Sequence, residues 1–332
     1  IRHTRKAFVY YSNGIYVPYP FENGLHVLNP KERAEALITF IEAWMSRDKD
    51  WRPKNLRDWI YGVFGKWIAE KYLIPYNEKV WKRPLENIDV DWIFMPGRMP
   101  IPNWKDIVKA VAGLPTVGYI EQHVFYYPEK GGIQSLYDAA LNKALANGVK
   151  IIWGENVKEI KKIDNALVVN GKYRADIIIN TIPLPDLIEA IERPELDQEI
   201  IKLANTLDYN GVLIVGIGLN MQALNQHWIY VPQKDIVFHR YAWISNYSPY
   251  NAPKTHTSII AEITIPKNVE TKQHKIVYRV VKDIVRLGIF EEKHILFVKS
   301  WFHKYGYPIH TIDLNKTCLL YTSDAADELD GV

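Results

Sequence analysis

The chain is poor in the residues from which several kinds of site are built. Its single cysteine, Cys318, excludes a disulfide framework and a thiolate metal site. The 10 histidines show no metal-ligand spacing, so we predict no bound metal. Lys and Arg form no run that would bind nucleic acid, and apolar runs such as I-I-I-N-T-I at 177–182 are too short to span a bilayer. No signal peptide is visible. We predict a cytoplasmic protein with neither a nucleic-acid partner nor a membrane span.

Both ends of the chain are unusual. It begins at Ile1 instead of Met, and the segment C-L-L-Y-T-S-D-A-A-D-E near its end resembles translated sequencing-adapter read-through. We therefore expect a fragment truncated at both ends, and we treat 318–332 as an artefactual tail outside the fold.

Tyrosine and tryptophan, in contrast, are abundant, with 21 and 11 copies. Many of them stand beside Pro, Gly or Asn instead of within regular apolar stripes. One example is S-N-Y-S-P-Y-N at 245–251, where Pro249 breaks a strand ladder and exposed rings would be a liability. The pattern predicts a binding cleft lined by rings, although a tyrosine-rich core and surface would give the same composition.

Helical signals are concentrated at 28–113. Asn29 and Asn55 are predicted N-caps, because each is followed by an acidic residue three positions on and then by apolar residues at helical spacing. The second helix is predicted to run to about Leu73 and to end before Pro75, and a third helix is predicted at 103–112. These residues form a predicted helical domain.

Strand signals dominate the rest of the chain. A hairpin with its turn at Asn13–Gly14 and the strands of 207–312 predict an antiparallel sheet domain made of 1–27 and 207–315, with a helix at about 271–286. Between them, 114–206 reads as a helix followed by four strands in quick succession, including an edge strand at 149–154 and a buried strand at 176–182. The predicted fold class is α/β with α+β character, with a small β-meander inserted in the α/β domain.

Glycine motifs give weak signals. G-I-G-L-N at 216–220 has Met221 at the sixth position instead of glycine or alanine, and no convincing helix follows it, so we interpret it as a strand and not as a dinucleotide fingerprint. Gly131 and Gly132 open a helix, where they serve either a phosphate group or a tight turn. No catalytic triad, P-loop or carboxylate pair is visible, and Glu262 reads as a solvated or salt-bridged acid on a strand.

Arginines beside structure-breaking residues are the strongest chemical signal. The planar guanidinium suits bidentate phosphate binding, and tyrosine hydroxyls add donors without adding charge. Tyr76 and Trp81 offer rings on which a base can stack. The set predicts a nucleotide-diphosphate pocket, against the alternative of surface arginines and structural tyrosines. Its members are Arg5, Arg98, Arg240, Tyr230, Tyr247 and Tyr307.

Seven segments in order along the chain resemble the UDP-galactopyranose mutase family, in particular its eukaryotic-type branch. This family lies within the FAD-dependent amine-oxidase and protoporphyrinogen-oxidase-like superfamily. The resemblance implies an incomplete Rossmann-like FAD domain, an inserted helical domain and a mainly antiparallel substrate domain. The segments are V-P-Y-P-F-E-N, W-I-A-E-K-Y-L-I-P-Y-N-E-K-V-W, G-R-M-P-I-P-N, F-Y-Y-P-E-K-G-G, W-I-Y-V-P, F-H-R-Y-A-W-I-S-N-Y-S-P-Y-N-A-P and Y-G-Y-P.

The resemblance also implies roles for single residues. Arg98 and Arg240 take the catalytic positions that face the sugar and diphosphate of a UDP-sugar. The implied uridine and diphosphate contacts are Tyr19, Glu22, Tyr72, Leu73, Asn77, Trp81, Tyr230, Tyr247 and Tyr307. The implied FAD contacts are Arg5, Gly131, Gly132 and Val157.

The family's reaction is carried by its cofactor. Reduced FAD acts as the nucleophile that displaces UDP from the sugar, so the chain is expected to act as an isomerase of cell-surface polysaccharide biosynthesis. Two departures keep alternatives open. Glu22 stands where the family has a uridine-contacting Gln, which favours an FAD-dependent oxidoreductase of the same superfamily. The Gly-rich FAD fingerprint would precede Ile1 and the C-terminal flavin segment would follow residue 317, so a non-catalytic binder is the third hypothesis.

Overall fold

The computed structural model describes residues 1–12, 14–94, 101–191, 198–312 and 314. It divides the chain into two compact units. The larger unit consists of Ile1–Ala139 and Asn210–Tyr307, and the smaller unit consists of Ala140–Tyr209 with the residues from Pro308 on. The predicted helical residues 28–113 and most of the predicted antiparallel sheet thus lie within one unit. The three-domain boundaries stay a prediction.

The larger unit is built on a seven-stranded, mostly antiparallel sheet, as the sequence predicted. The described strands are β1 Arg2–Thr4, β2 Ala7–Ser12, β3 Ile15–Pro18, β4 Val124–Tyr126, β5 Ile160–Ile163, β6 Ala166–Val169, β7 Tyr173–Ala175, β8 Tyr209–Leu219, β9 Trp228–Tyr230, β10 Arg240–Trp243, β11 Thr257–Pro266 and β12 Ile295–Pro308. The sheet order is β12-β8-β11-β10-β9-β2-β3, and the β2–β9 pair is parallel. The hairpin of β2 and β3 confirms the first predicted turn, although Asn13 itself lies outside the described residues.

Residues along β8 alternate between the two faces of the sheet, and this alternation explains the glycines that resemble a dinucleotide motif. Leu213, Val215 and Ile217 are buried in the core of the sheet, while Gly216 and Gly218 face the other side. There the rings of Trp301 and Phe297 on β12 lie directly against them, where a Cβ atom would collide. The strand interpretation of 216–220 is therefore confirmed, because these glycines make room for cross-strand rings and not for a phosphate.

The helices follow their predicted caps. The side chain of Asn29 accepts a hydrogen bond from the Glu32 backbone N–H at 3.0 Å, and that of Asn55 accepts one from Asp58 at 2.9 Å. Each cap satisfies a backbone donor that the first helical turn would otherwise leave unpaired. The described helices are α1 Pro30–Ser46, α2 Leu56–Ile68, α3 Ile74–Trp81, α4 Trp104–Val111, α5 Gln134–Ala146, α6 Leu184–Ala190, α7 Gln198–Thr206 and α8 Gln273–Arg286.

The predicted helix end before Pro75 is wrong. The chain interrupts its helix earlier, at Gly65, whose φ of 77° suits glycine and whose backbone lies against the Thr39 carbonyl of α1. A π-helical turn at Ala69–Leu73 then leads directly into α3. Pro75 sits in the first turn of α3, where its missing N–H costs no helical hydrogen bond.

The smaller unit contains the predicted β-meander, a three-stranded antiparallel sheet of β5, β6 and β7. The buried strand predicted at 176–182 is wrong, and so is the strand predicted at 149–154. Ile177 and Ile179 are 79% and 86% exposed, and within the described part of the chain no strand pairs with their segment. An apolar run forms a buried strand only where neighbouring strands satisfy its backbone groups.

Candidate functional site

A cavity of about 470 Å³ opens in the larger unit. Its volume lies within the range of sites for small molecules and cofactors. The structure brings together eleven of the residues that the sequence analysis selected, although they are spread from Arg5 to Tyr307 along the chain. Lining the cavity are Arg5, Tyr19, Glu22, Tyr72, Leu73, Tyr76, Asn77, Trp81, Tyr230, Arg240 and Tyr307.

Four other predicted residues lie elsewhere. Tyr247, Gly131 and Gly132 belong to the larger unit but do not line this cavity, and Val157 lies in the smaller unit. Arg98 falls outside the described residues. The roles predicted for these five residues, like those of the residues that line the cavity, stay predictions.

One helical stripe forms a wall of the cavity. The π-helical turn and α3 place Tyr72, Tyr76 and Val80 in one row, and Leu73, Asn77 and Trp81 in the next, because residues four apart share a helix face. The Asn77 amide donates to the Leu73 carbonyl at 2.8 Å and accepts from the Trp81 indole N–H at 3.1 Å. These bonds fix the orientation of both side chains before any ligand binds.

Tyrosine rings make the adjoining wall. Tyr72 lies 5.6 Å from Tyr76 between ring centroids, Tyr76 lies 5.3 Å from Tyr230, and Tyr230 lies 4.9 Å from Tyr19. Such edge and tilted contacts are the favoured geometries of aromatic pairs. Burial raises the pKa of Tyr19, Tyr72 and Tyr76, so their hydroxyl groups keep their protons and remain donors.

Arg240 enters the cavity as one half of a bidentate ion pair. Its Nε and Nη2 atoms donate to the two carboxylate oxygens of Glu262 at 2.9 and 2.7 Å. Tyr307 donates its hydroxyl hydrogen to the same carboxylate at 3.0 Å. Burial by itself would lower the pKa of Arg240, but the Glu262 charge raises it above its usual value. The sequence left Glu262 either solvated or salt-bridged, and the structure shows it salt-bridged.

Arg5 has a different environment in the same cavity. Its Nη1 atom donates to the neutral amide oxygen of Gln122 at 3.0 Å, and its guanidinium lies 4.8 Å from the centroid of the Tyr19 ring. Burial lowers the pKa of Arg5 from a value so high that the group stays charged. Tyr230 interacts electrostatically with both Arg5 and Arg240.

Glu22 is a buried acid in the cavity wall, with 3% of its surface exposed. Tyr119 donates its hydroxyl hydrogen to the Glu22 carboxyl group. Burial raises the pKa of Glu22, and the bond from Tyr119 offsets only part of that effect. The group therefore exists near neutral pH with more protonated character than an exposed glutamate has.

The turn S-N-Y-S-P-Y-N is a junction between loops. Asn246 donates to the carbonyls of Leu224 and Gln226 at 2.6 Å each, and Ser248 donates to the carbonyl of Glu129. The Tyr247 ring is half-buried in a separate cluster of rings beside the cavity, formed with Phe125, Tyr127, His227 and Trp228. Tyr247 still interacts electrostatically with Arg240.

Lys79 fastens α3 to the sheet. Its ammonium group is buried and donates to the carbonyls of Val231 and Gln233 at 2.9 and 2.8 Å. Burial lowers the pKa of Lys79 to about 7. The bonds from Lys79 hold the helical stripe in place next to β9, which carries Tyr230.

Sequence reasoning did not select several residues of this site, among them Tyr119, Gln122 and Glu262. Tyr119 and Gln122 line the cavity, and Glu262 pairs with Arg240. Glu262 has a signal in retrospect, since it is the lone charged residue of its strand. Neither Tyr119 nor Gln122 lies in a segment with a pattern that marks a site.

Within the described ranges, no cluster of His, Cys, Asp and Glu side chains could hold a metal ion, and no helix is long and apolar enough to cross a membrane.

Comparison with solved structures relates this arrangement to known proteins. No protein-family model matches the chain. A crystal structure of reduced UDP-galactopyranose mutase superposes with a TM-score of 0.85 at 22% identity, covering 96% of this chain and 68% of that one. A putative protoporphyrinogen oxidase from Exiguobacterium sp. 255-15 gives a TM-score of 0.67 at 15% identity, covering 95% and 71%. A putrescine oxidase gives 0.54 at 10% identity, covering 93% and 72%. The chain thus has the fold of the FAD-dependent mutases and oxidases, as its motifs indicated.

Proposed function

We propose that the protein interconverts UDP-galactopyranose and UDP-galactofuranose with the help of FAD. The observation that carries this proposal is the convergence of Arg5, Arg240 and Tyr230 on one cavity whose wall also holds the Asn77–Trp81 pair. Cations and neutral donors suit a diphosphate, and an oriented amide beside an aromatic wall suits a nucleobase. The likeness of the fold to a UDP-galactopyranose mutase supports the same assignment.

The diphosphate is the leaving group of the proposed reaction, so the protein must stabilise negative charge that grows on it. The ion pair with Glu262 uses two of the five N–H bonds of the Arg240 guanidinium, and the others are available to phosphate oxygens. Tyr19 and Tyr230 line the same space, where their hydroxyl groups can donate. Fixed donors of this kind favour a transition state in which charge moves onto the leaving group.

The uridine is assigned to the helical stripe. Asn77 is held by its bonds to Leu73 and Trp81, which leaves one of its amide N–H bonds and one oxygen lone pair for a base edge. Tyr72 and Trp81 supply rings against which a base can pack. These contacts would bind ground state and transition state alike and would hold the sugar in place.

FAD is the cofactor that this fold implies. Gly131 and Gly132 fit a dinucleotide, because their φ angles of 78° and 62° form a side-chain-free turn just before α5, where backbone N–H groups suit a pyrophosphate. They are the residues of the larger unit that would hold it, and the FAD contacts implied for Arg5 and Val157 stay predictions. Reduced FAD, when bound, would supply the nucleophile that displaces UDP from the sugar. The chain's own part is to bind and orient the UDP-sugar and to exclude water from the cavity.

Turnover tests the proposal. The protein, loaded with FAD and reduced with dithionite, should convert UDP-galactofuranose into UDP-galactopyranose, as measured by chromatography of the nucleotide sugars. Oxidised protein is the matched control and should not convert the substrate. Absence of conversion in the reduced, FAD-loaded protein would contradict the proposal. Binding of UDP without turnover would instead support the non-catalytic binder. A cytoplasmic role in cell-surface polysaccharide biosynthesis belongs to the same proposal.

An FAD-dependent oxidoreductase is the second candidate. Glu22 favours it, because a buried carboxyl group in the cavity wall is an unusual neighbour for an anionic ligand. The likeness to a protoporphyrinogen oxidase and a putrescine oxidase is consistent with it. This candidate predicts that the protein consumes oxygen with amine or porphyrinogen substrates. It also predicts that the protein does not convert UDP-galactofuranose into UDP-galactopyranose.

A further inference from the structure

The Arg240 side chain is not free to choose its orientation. Arg240 on β10 and Glu262 on β11 are directly opposed cross-strand partners, and their side chains meet in a two-bond fork. Arg240 lines the cavity, whereas Glu262 stands behind it, next to the sheet, with 9% of its surface exposed. The carboxylate therefore holds the guanidinium from the side away from the ligand space.

The same carboxylate also holds a second group of the cavity. Tyr307 on β12 donates to the oxygen that accepts from Arg240 Nη2. His239 Nε2 lies 3.9 Å from this oxygen, but burial lowers the pKa of His239 well below its usual value, so it is not a competing cation. One acid thus orients an arginine and a tyrosine that come from different strands.

We propose that Glu262 is a positioning residue that fixes Arg240 in the orientation required for the ligand diphosphate. The inference rests on the proposed function, since it assigns the diphosphate to Arg240. A guanidinium held by two bonds has lost most of its rotamer freedom before the ligand arrives, so binding need not order it. An arginine without this partner would have to be ordered by the ligand itself, which weakens binding.

Two variants disturb the fork in different ways. Glu262→Asp keeps the negative charge and withdraws the carboxylate by one methylene, which breaks the fork. Glu262→Gln keeps the length and removes the charge. We expect the Kd for UDP, measured by calorimetry, to rise about tenfold in each, the scale of one charge-assisted hydrogen bond. We also expect kcat to fall in each, because charge grows on the diphosphate as it leaves.

A double-mutant cycle distinguishes positioning from general destabilisation. If Glu262 acts through Arg240, Glu262→Gln should have little further effect on UDP affinity in an Arg240→Met background, whereas a merely structural loss would add to it. Asp283→Asn is the matched control, because Asp283 is a buried acid bonded at 2.9 Å to Arg279 in the same unit but away from the cavity. It should lower stability and leave the Kd for UDP unchanged.

The outcomes are separable from those of the proposed function. Wild-type protein that does not bind UDP would overturn the proposed function and this inference with it. Wild-type protein that binds UDP, together with a Glu262→Asp variant of equal affinity, would overturn the inference alone. The Asp variant retains an acid next to Arg240, so the test does not depend on the Gln variant folding.

Discussion

The cavity is lined by two arginines, Arg240 and Arg5, and their surroundings differ in charge balance. The charge of Arg240 is compensated by the Glu262 carboxylate. Arg5, in contrast, is bonded to a neutral amide and lies against a ring, and within the described residues no carboxylate forms an ion pair with it. We infer that Arg240 supplies oriented donors, whereas Arg5 supplies most of the net positive charge that attracts an anion. The comparison teaches that an arginine in a binding site can serve through its geometry or through its charge.

Replacing Arg240 should have the largest effect. Arg240→Met removes donors to the diphosphate and should weaken UDP binding by about 1.5–3 kcal/mol. It also leaves Glu262 buried without its partner, which should lower the free energy of unfolding by about 3 kcal/mol, the lower end for such pairs because the Arg240 side chain is 35% exposed. Calorimetry and urea unfolding measure the two losses. The double variant Arg240→Met with Glu262→Gln should regain stability without regaining affinity, and a variant that lost neither would contradict the pairing.

Replacing Arg5 should cost affinity with little loss of stability. Arg5→Met should raise the Kd for UDP about tenfold and make it less dependent on salt, because a charge without a carboxylate partner is removed. The unfolding free energy should change by about 1 kcal/mol or less, since only a bond to a neutral amide is lost. The charge-balanced Arg240 and Glu262 double variant is the control and should keep the wild-type salt dependence. If Arg5→Met instead released FAD and left UDP binding intact, Arg5 would serve the cofactor alone.

Glu22 should change how stability depends on pH. Burial raises its pKa above the ordinary 4.5, so the folded state holds this proton more tightly than the unfolded state does. The resulting stabilisation is complete below pH 4.5 and is lost as the pH rises through the folded pKa. Glu22→Gln cannot ionise and should not show that loss. Urea unfolding of both proteins between pH 4 and 8 measures it, and parallel curves would show that the Glu22 pKa is not raised.

The smallest effect on the cavity is expected from a distant cap. Asn29→Ala removes the side chain that accepts from the Glu32 N–H and should lower the free energy of unfolding by about 1 kcal/mol. The Kd for UDP should stay unchanged, because α1 contributes no residue to the cavity wall. A changed Kd would mean that a small loss of stability by itself weakens UDP binding. The affinities of the Arg240 and Arg5 variants would then have to be corrected for their losses of stability.

Local signals in the sequence were sufficient for much of the fold. The caps at Asn29 and Asn55, the hairpin of β2 and β3, and the strand with Gly216 and Gly218 each depend on neighbours in the chain. The errors occur where distant partners decide. Pro75 reads as a helix end, but packing of Gly65 against α1 moves the interruption upstream.

The site was predicted to the extent that its residues lie in recognisable motifs. Most of the residues selected from those motifs line one cavity. Glu262 was seen only as a lone acid, because its pairing with Arg240 depends on the register of β10 and β11, which local patterns do not specify. Tyr119 was missed because its value lies in a bond to Glu22, about a hundred residues away in sequence.

A crystal structure of the protein with UDP tests the central claim most directly. The account predicts the diphosphate within hydrogen-bond distance of Arg240 and near Arg5, inside the cavity, with the Arg240–Glu262 fork intact and the uracil beside Asn77 and Trp81. A diphosphate bound elsewhere, or an Arg240 that abandons Glu262 to reach it, would contradict the account.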